Sequence, residues 1–314
     1  MNVPFFALRR SVACSATPWN MVITRTMAVK SFAVGKPFTS GHRIFFENEG
    51  KIVSPFHDIP LYPDEKDKSI VNMVVEIPRW TNGKVEISTK ELHNPIKQDV
   101  KKGKLRFVRN CFPYKGYIWN YGALPQTWED PDMTNEDTQA KGDNDPVDVC
   151  EIGQHVGHSG EIKKVKVLGV MALLDEGETD WKLLAIDVND PLANQINDTN
   201  DIEQHFPGLI DATRRWFKIY KIPDGKPENE FAFDGACQNK DYALSVVAET
   251  HEAWRRLIKD ERNGSNGLSL TNSTVHDSPY KTNTPPCKSD VSPAQNGLDE
   301  QPAEQDQKWY YIKA

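Results

Sequence analysis

Between Gly142 and Gly153 the chain reads Asp143-Asn144-Asp145-Pro146-Val147-Asp148, three aspartates within six residues. Carboxylates about 4 Å apart repel by roughly 4 kcal/mol at an effective dielectric near 20. A fold that gathers them needs a cation, a shared proton or a basic partner; otherwise the stretch is an acidic loop left to water. A second acidic cluster, Asp175-Glu176-Gly177-Glu178-Thr179-Asp180, separates two β-rich stretches. Carboxylates at both ends of a tight loop point to one region of space, and Lys182 lies two residues on, on the same strand face, as a counter-charge. Two such clusters in one barrel-sized domain favour a shared metal site over two solvated turns. Hard oxygen ligands without an obligatory His or Cys suit Mg2+ or Mn2+ rather than zinc. An EF-hand is excluded: counted from Asp143, its sixth position is Asp148 rather than Gly and its twelfth is Gln154. His155 and His158 close no zinc-like pattern.

Basic and phenolic groups complement the acids. Lys101-Lys102-Gly103-Lys104-Leu105-Arg106 precedes Tyr114, Tyr117 and Tyr121, and Tyr220-Lys221 comes later. The lysines of that run read as a solvated face, while Arg106, framed by Leu105 and Phe107, is the member expected to point inward. Metal-binding carboxylates beside Arg, Lys and Tyr donors make the site expected for a highly charged phosphate compound. The chain has no GxxxxGK[ST] loop, no GxGxxG and no GxSxG, and no Ser or Cys is marked as a nucleophile. A metal-activated water is the favoured attacker.

The elements that must position these groups are mainly β. Ile70–Ile77 is rich in Val, Ile and Met and closes at Pro78; Asn82-Gly83 signals a tight turn before the alternating Lys84–Ser88. Val85 and Ile87 face the core there, which puts Lys84 and Glu86 together on the other face. Val165–Leu174 and Trp181–Ile186 flank the second acidic cluster, and short strands at this spacing suggest a small barrel. Helical spacing appears over Gly208–Phe217 and from an Asn239 N-cap through Lys259. Their aromatic residues read as core.

At 314 residues, 38% hydrophobic and 26% charged, the chain can bury a sizeable core. It has no apolar run long enough to span a bilayer. Five scattered cysteines without a CxxC pair argue against a disulfide framework and fit a reducing compartment. Residues 1–46 contain no acid but several Arg and Lys amid Ser, Thr and Ala, the pattern of a mitochondrial transit peptide over about residues 1–30. A disordered basic arm on a cytoplasmic protein is the alternative. Removal through Lys30 takes the net charge from −7 to about −11, which disfavours nucleic acid as a partner. Residues 261–307 are polar and Pro-containing and read as a flexible tail, with 308–314 able to dock back onto a body spanning 40–260.

These residues resemble the soluble family I inorganic pyrophosphatases, most closely the animal and fungal type and its mitochondrial form. Asp143–Val149 is similar to the family signature D-x-D-P-x-D-x. Val75-Glu76-Ile77-Pro78-Arg79-Trp80, Gly116–Gly122 and Asp175–Lys182 reinforce it in the right order, and the likeness spans roughly 45–260. It implies one domain, mainly β with flanking helices, around a five-stranded OB-like closed barrel. It also implies hydrolysis of pyrophosphate to two phosphates with three or four Mg2+, for which Mn2+ or other divalent ions can substitute, in a homodimer. By the same resemblance Asp143, Asp148 and Asp180 bind the tightest metals, Asp175 joins at later ones, and Glu86 reaches them through water. Asp145 is then the general base. Lys84, Arg106, Tyr117, Tyr220 and Lys221 hold the phosphoryl groups, with Glu76, Tyr121, Glu129 and Lys182 in support. A metal-dependent phosphatase for organic or polyphosphates, and a non-catalytic interaction protein on the same fold, are the competing readings.

Overall fold

A computed structural model describes residues 29–262, 264–292 and 308–313. In chain order the main elements are β1 (Lys30–Val34), β2 (Arg43–Asn48), β3 (Lys51–Val53), β4 (Ile70–Ile77), β5 (Val85–Ile87), β6 (Ile96–Gln98), β7 (Val100–Lys101) and β8 (Lys104–Leu105). There follow β9 (Asn110–Cys111), β10 (Asn120–Ala123), β11 (Lys141–Gly142), β12 (Asp148–Glu151), β13 (Ile162–Asp175) and β14 (Glu178–Asp187). Helices α1 (Thr199–His205) and α2 (Leu209–Ile219), strand β15 (Glu230–Phe231), helix α3 (Lys240–Ile258) and strand β16 (Trp309–Tyr310) complete the set.

Five strands close on themselves. β4 pairs with β10, β10 with β12, β12 with β14, β14 with β13, and β13 with β4. All of these contacts are antiparallel except β12–β14, which runs parallel and sets Asp148 opposite Lys182. Alternation gives the ring two apolar faces. Val149, Leu183 and Ala185 pack with Ala243, Val246 and Val247 of α3. Cys150, Leu184 and Ile186 pack with Trp216 and Phe217 of α2 and Ile202 of α1. Asp180 and Lys182 are in phase with Leu184, so the acidic end of β14 lies on the α2 face. A second sheet, β1-β2-β6-β5 with β3 on β2, covers the far end of α3.

The helices obey their local signals. Asn239 caps α3 by accepting from the Tyr242 N–H, and Gly208, at φ 83°, opens α2. Helix α1, capped by Asp198, carries too few apolar residues to announce itself. Asn82-Gly83 is not a hairpin turn. β4 and β5 do not pair with each other, and buried Asn82 donates instead to the Val108 carbonyl at 2.9 Å and to Asn110 Oδ1 at 2.8 Å. The dipeptide serves as a side-chain staple between chain segments.

The folded body begins earlier and ends later than composition suggests. Val29 packs on the core and Lys30 pairs with Glu47; the rest of the presequence reading lies outside the described residues. The 264–292 part of the expected flexible tail is wrapped on the body. Leu268 and Leu270 are buried, and Asp58, 2% exposed, accepts from Ser273 N, Thr274 N and Thr274 Oγ1 at 2.7–2.8 Å. Buried His57 holds the Ser269 carbonyl at 3.0 Å and accepts from Trp254 Nε1. This strap is ordered by the Asp58 acceptor and the His57 donor waiting on the body, which composition does not report. Trp309–Tyr310 adds a parallel strand to β9. Asp58→Ala leaves those donors without their acceptor; it is expected to lower stability by about 3 kcal/mol, read as a drop in the urea midpoint at unchanged m value.

Candidate active site

The first aspartate cluster is shaped by its neighbours rather than by its own residues. Asn144 adopts φ 71°, a left-handed conformation that Asn tolerates, and its Oδ1 accepts from Trp128 Nε1 at 3.1 Å. The Asn144 N–H bonds the Glu129 carbonyl, and the Glu129 N–H bonds the Asp145 carbonyl, each at 2.9 Å. Gly142 permits this approach, since a Cβ there would stand 2.3 Å from the Glu129 carbonyl carbon. Asp143 and Asp145 are thereby turned apart, and Asp148 begins β12 in register with Lys182.

The second cluster is a two-residue hairpin. Glu176 (φ 52°) and Gly177 (φ 95°) both have positive φ, as a type I′ turn requires. Asp175 pairs with Glu178, and Asp180 lies inside β14 opposite Leu173. Lys182, almost wholly buried, donates to Asp148, to Asp180, and to the Tyr121 hydroxyl at 3.1 Å. Tyr121 in turn donates to Asp148. Burial opposes charge on Lys182, but Asp148 and Asp180 outweigh it and hold its pKa well above the usual lysine value.

The carboxyls behave as a crowded set. Burial first, then neighbouring acids, raise Asp143 and Glu129 well above the carboxylate range. Asp180 is pushed up to about 7 by burial and Asp148, with Lys182 pulling the other way. Asp145 opens onto the cleft, yet protein crowds it from behind; burial and then Glu86 lift it to about 6. Ligand atoms of Glu129, Asp143 and Asp180 lie within 4.8 Å of one another. Glu129 Oε1 accepts the Trp181 N–H at 2.8 Å, while buried Oε2 has no hydrogen-bond partner. An orphaned carboxylate oxygen beside two protonation-prone aspartates fits a hard divalent cation.

Anion-binding groups face this cluster. Glu76 Oε1 accepts the Ile87 N–H at 2.6 Å, tying β4 to β5 and presenting Lys84 and Glu86, which form an ion pair. Asp99 lies 3.0 Å from Arg106 Nη1 and 3.6 Å from Lys84 Nζ, fixing both cations. Tyr220 follows the last turn of α2 and stacks on Trp216 with centroids 4.8 Å apart. Lys221 pairs with Asp175. Burial raises the hydroxyl of Tyr117 to about 12 and that of Tyr220 higher still, so both stay protonated donors. These groups and the acids line one cleft of about 290 Å³.

Among the residues given a site role by the family resemblance, all but Glu129 line that cleft; Glu129 stands behind Asp143 and Asp180, and Tyr114 packs on the core instead. Sequence reasoning missed Glu178, which lines the cleft and shares the face of Asp180 and Lys182. It also missed Asp99 and Thr89, whose hydroxyl is 3.5 Å from Asp145 Oδ1. For Glu178 the strand alternation was a usable signal; Asp99 and Thr89 had none.

A closed five-strand ring thus gathers cation-binding carboxylates against Arg, Lys and Tyr donors, a site whose chemistry suits a divalent cation and a phosphate compound. The profile of the inorganic pyrophosphatase family matches residues 73–255. The chain is 60% identical over 291 residues to the inorganic pyrophosphatase of Neurospora crassa, covering 89% of this chain and 95% of that one. It is 58% identical over 290 residues to that of Debaryomyces hansenii, covering 91% and 99%. Its fold is similar to the inorganic pyrophosphatase structure from Schistosoma japonicum, with a TM-score of 0.85, 44% identity and coverage of 90% and 100%. An N-terminally truncated vacuolar soluble pyrophosphatase of Trypanosoma cruzi, solved with PPi, matches at 0.71 and 36%, over 79% and 98%. The chain belongs to the inorganic pyrophosphatase family and is an enzyme of that class.

The raised carboxyl pKa values set a pH signature. A carboxyl whose folded pKa is raised contributes stability below its unfolded value, about 4, and loses it as pH climbs to the folded value, about 7 for Asp180. Protons also compete with cations below that point. The rise in Tm on adding Mg2+ should therefore be larger at pH 8.0 than at pH 5.5, by about 3 °C or more. Scanning calorimetry with and without Mg2+ at each pH isolates the effect from any group that titrates alike in both arms.

Proposed function

We propose that the cleft hydrolyses inorganic pyrophosphate to two orthophosphates in an Mg2+-dependent reaction. The observation that carries this reading is the meeting of Asp143, Asp145, Asp148 and Asp180 with Lys84, Arg106, Tyr117, Tyr220 and Lys221 in one cleft. Asp143, Asp148 and Asp180 would hold the most tightly bound cations, Asp175 would join them at further ones, and Glu86 would take part through water. Three or four Mg2+ ions, when bound, would neutralise substrate oxygens and acidify the attacking water.

The chain's own residues supply the rest. Arg106, Tyr220 and Lys221 hold the attacked phosphoryl group and stabilise charge on its oxygens as the bond to the incoming water forms. Asp145 receives the water's proton. The bridging P–O bond breaks with its electron pair on the departing phosphate, which Lys84 and Tyr117 receive. Glu76 and Lys182 keep the strands and acids in place, with Tyr121 linking Lys182 to Asp148. The PPi-containing relative from Trypanosoma cruzi supports the substrate assignment.

The chain is further proposed to act in mitochondria, in the matrix, as a homodimer that pulls pyrophosphate-releasing biosynthesis forward. The acid-free start of the sequence supports the location. Trp80, Phe112, Trp309 and Tyr311, all exposed, support self-association. Gly116 joins the two parts of that surface, bonded to Asn110 at 3.0 Å and packed on Thr81. Protein recovered from mitochondria should start after Met1, no later than Val29, and sediment as a dimer; an intact Met1 in the organelle, or a monomer, would remove the corresponding proposal.

Phosphate release from pyrophosphate should far exceed release from nucleotides or tripolyphosphate under Mg2+; a preference for either of the latter favours the broader phosphatase reading. Asp145→Asn is expected to cut turnover by about 10²–10⁴-fold while calorimetric Mg2+ binding persists. Full activity in that variant would sink the assignment of the base.

A further inference from the structure

The chain carries a net charge of −7, yet the cleft opens on one side into a groove of opposite sign. This groove, about 390 Å³, is walled by Lys101, Lys102, Lys104, Arg109, Lys221 and Lys226, with Asp224 the one acid among its lining residues. Lys101, Arg106 and Lys221 line groove and cleft alike, so the two spaces are continuous.

The groove is a constructed feature. β7 and β8 form a hairpin, Lys101 opposite Lys104, whose turn residues Lys102 (φ 53°) and Gly103 (φ 72°) both take positive φ. Such a turn fixes the ribbon and sets the lysines side by side at the mouth. Asp224 is bound by Arg109 at 3.1 Å, and Lys226 by Glu176 at 2.8 Å. Lys102 and Lys104 are exposed and have no ion pair among the described residues. Like charges held this close attract a multivalent anion strongly at low salt. The other opening of the cleft, about 350 Å³, passes Glu86, Asp99, Asp143 and Asp145. Of its cations Arg43, Lys90 and Lys97, the first and last are held by Glu91, at 2.7 and 3.1 Å. An anion arriving by that route meets four acids; one arriving through the groove meets a single acid, Asp224, already held by Arg109.

We propose that the outer part of the basic groove, at Lys102 and Lys104, is a capture site for free pyrophosphate beside the catalytic cleft, from which Lys101, Arg106 and Lys221 pass the anion inward. Capture lies outside the chemical step, so it governs encounter and leaves turnover alone. The double variant Lys102→Glu/Lys104→Glu tests it, because both side chains are exposed and neither touches the catalytic groups. Lys51→Glu/Lys66→Glu changes the net charge equally at exposed positions that line none of these spaces. The groove variant should lose about five- to tenfold in kcat/KM at low ionic strength, with kcat within about twofold, and the loss should shrink as salt screens the charges. The control variant should stay near the parent. Calorimetric titration of the metal-free protein with inorganic pyrophosphate should show binding in parent and control that the groove variant loses. Unchanged kcat/KM and salt slope, equal losses in both variants, or undiminished metal-free binding in the groove variant would each overturn the proposal.

Discussion

The contact of Lys182 with Asp148 and Asp180 is the interaction on which the site rests. It places one ammonium, nearly free of solvent, between two carboxylates from adjacent strands of the ring. Unpaired, each of those charges would cost several kcal/mol to bury. The parallel register of β12 and β14 makes the pairing, and the Tyr121 hydroxyl closes the network from β10. Three of the five ring strands thus meet at one cation. Lys84 beside Glu86 and Lys221 beside Asp175 repeat the device at the cleft's edges.

This arrangement explains how an acidic cleft coexists with a stable barrel. The apolar faces above and below it are continuous, with Val149 and Leu183 on one side and Leu184 and Phe217 on the other. The charge of the site gathers at the start of β12, in the first half of β14 and at the flanking turns, facing the cleft. What the lysines leave uncompensated is concentrated at Glu129, Asp143 and Asp180, where raised pKa values record the deficit. Catalytic demand and folding demand are met by different atoms of the same strands.

Much of this was legible in sequence because the signals were local. The apolar content of Ile70–Ile77, the alternation of Lys84–Ser88, the Asn239 cap and the two acidic clusters each depend on neighbours a few residues away. Val85 and Ile87 placed Lys84 and Glu86 on one face, and the structure pairs those two side chains. Where the deciding partner was distant, the signal misled or was missing. Asn82-Gly83 has the chemistry of a turn, but Val108 and Asn110 recruit its side chain. The polar stretch after residue 263 lacks apolar content of its own, and its order comes from Asp58, His57 and two buried leucines. Asp99 matters because it touches Arg106 and Lys84 together, and no spacing rule joins those three.

The strap has a temporal side. Asp58 is buried against donors 215 and 216 positions further along the chain, so the N-terminal half leaves the ribosome carrying a carboxylate whose partners do not yet exist. Until the last stretch of chain emerges, that acceptor must stay hydrated, and the surface around His57 and Trp254 must stay open. Cover of that surface is thereby tied to synthesis of residues 269–274. A polypeptide interrupted before Thr274 would lack the cover for its own core and advertise itself as unfinished.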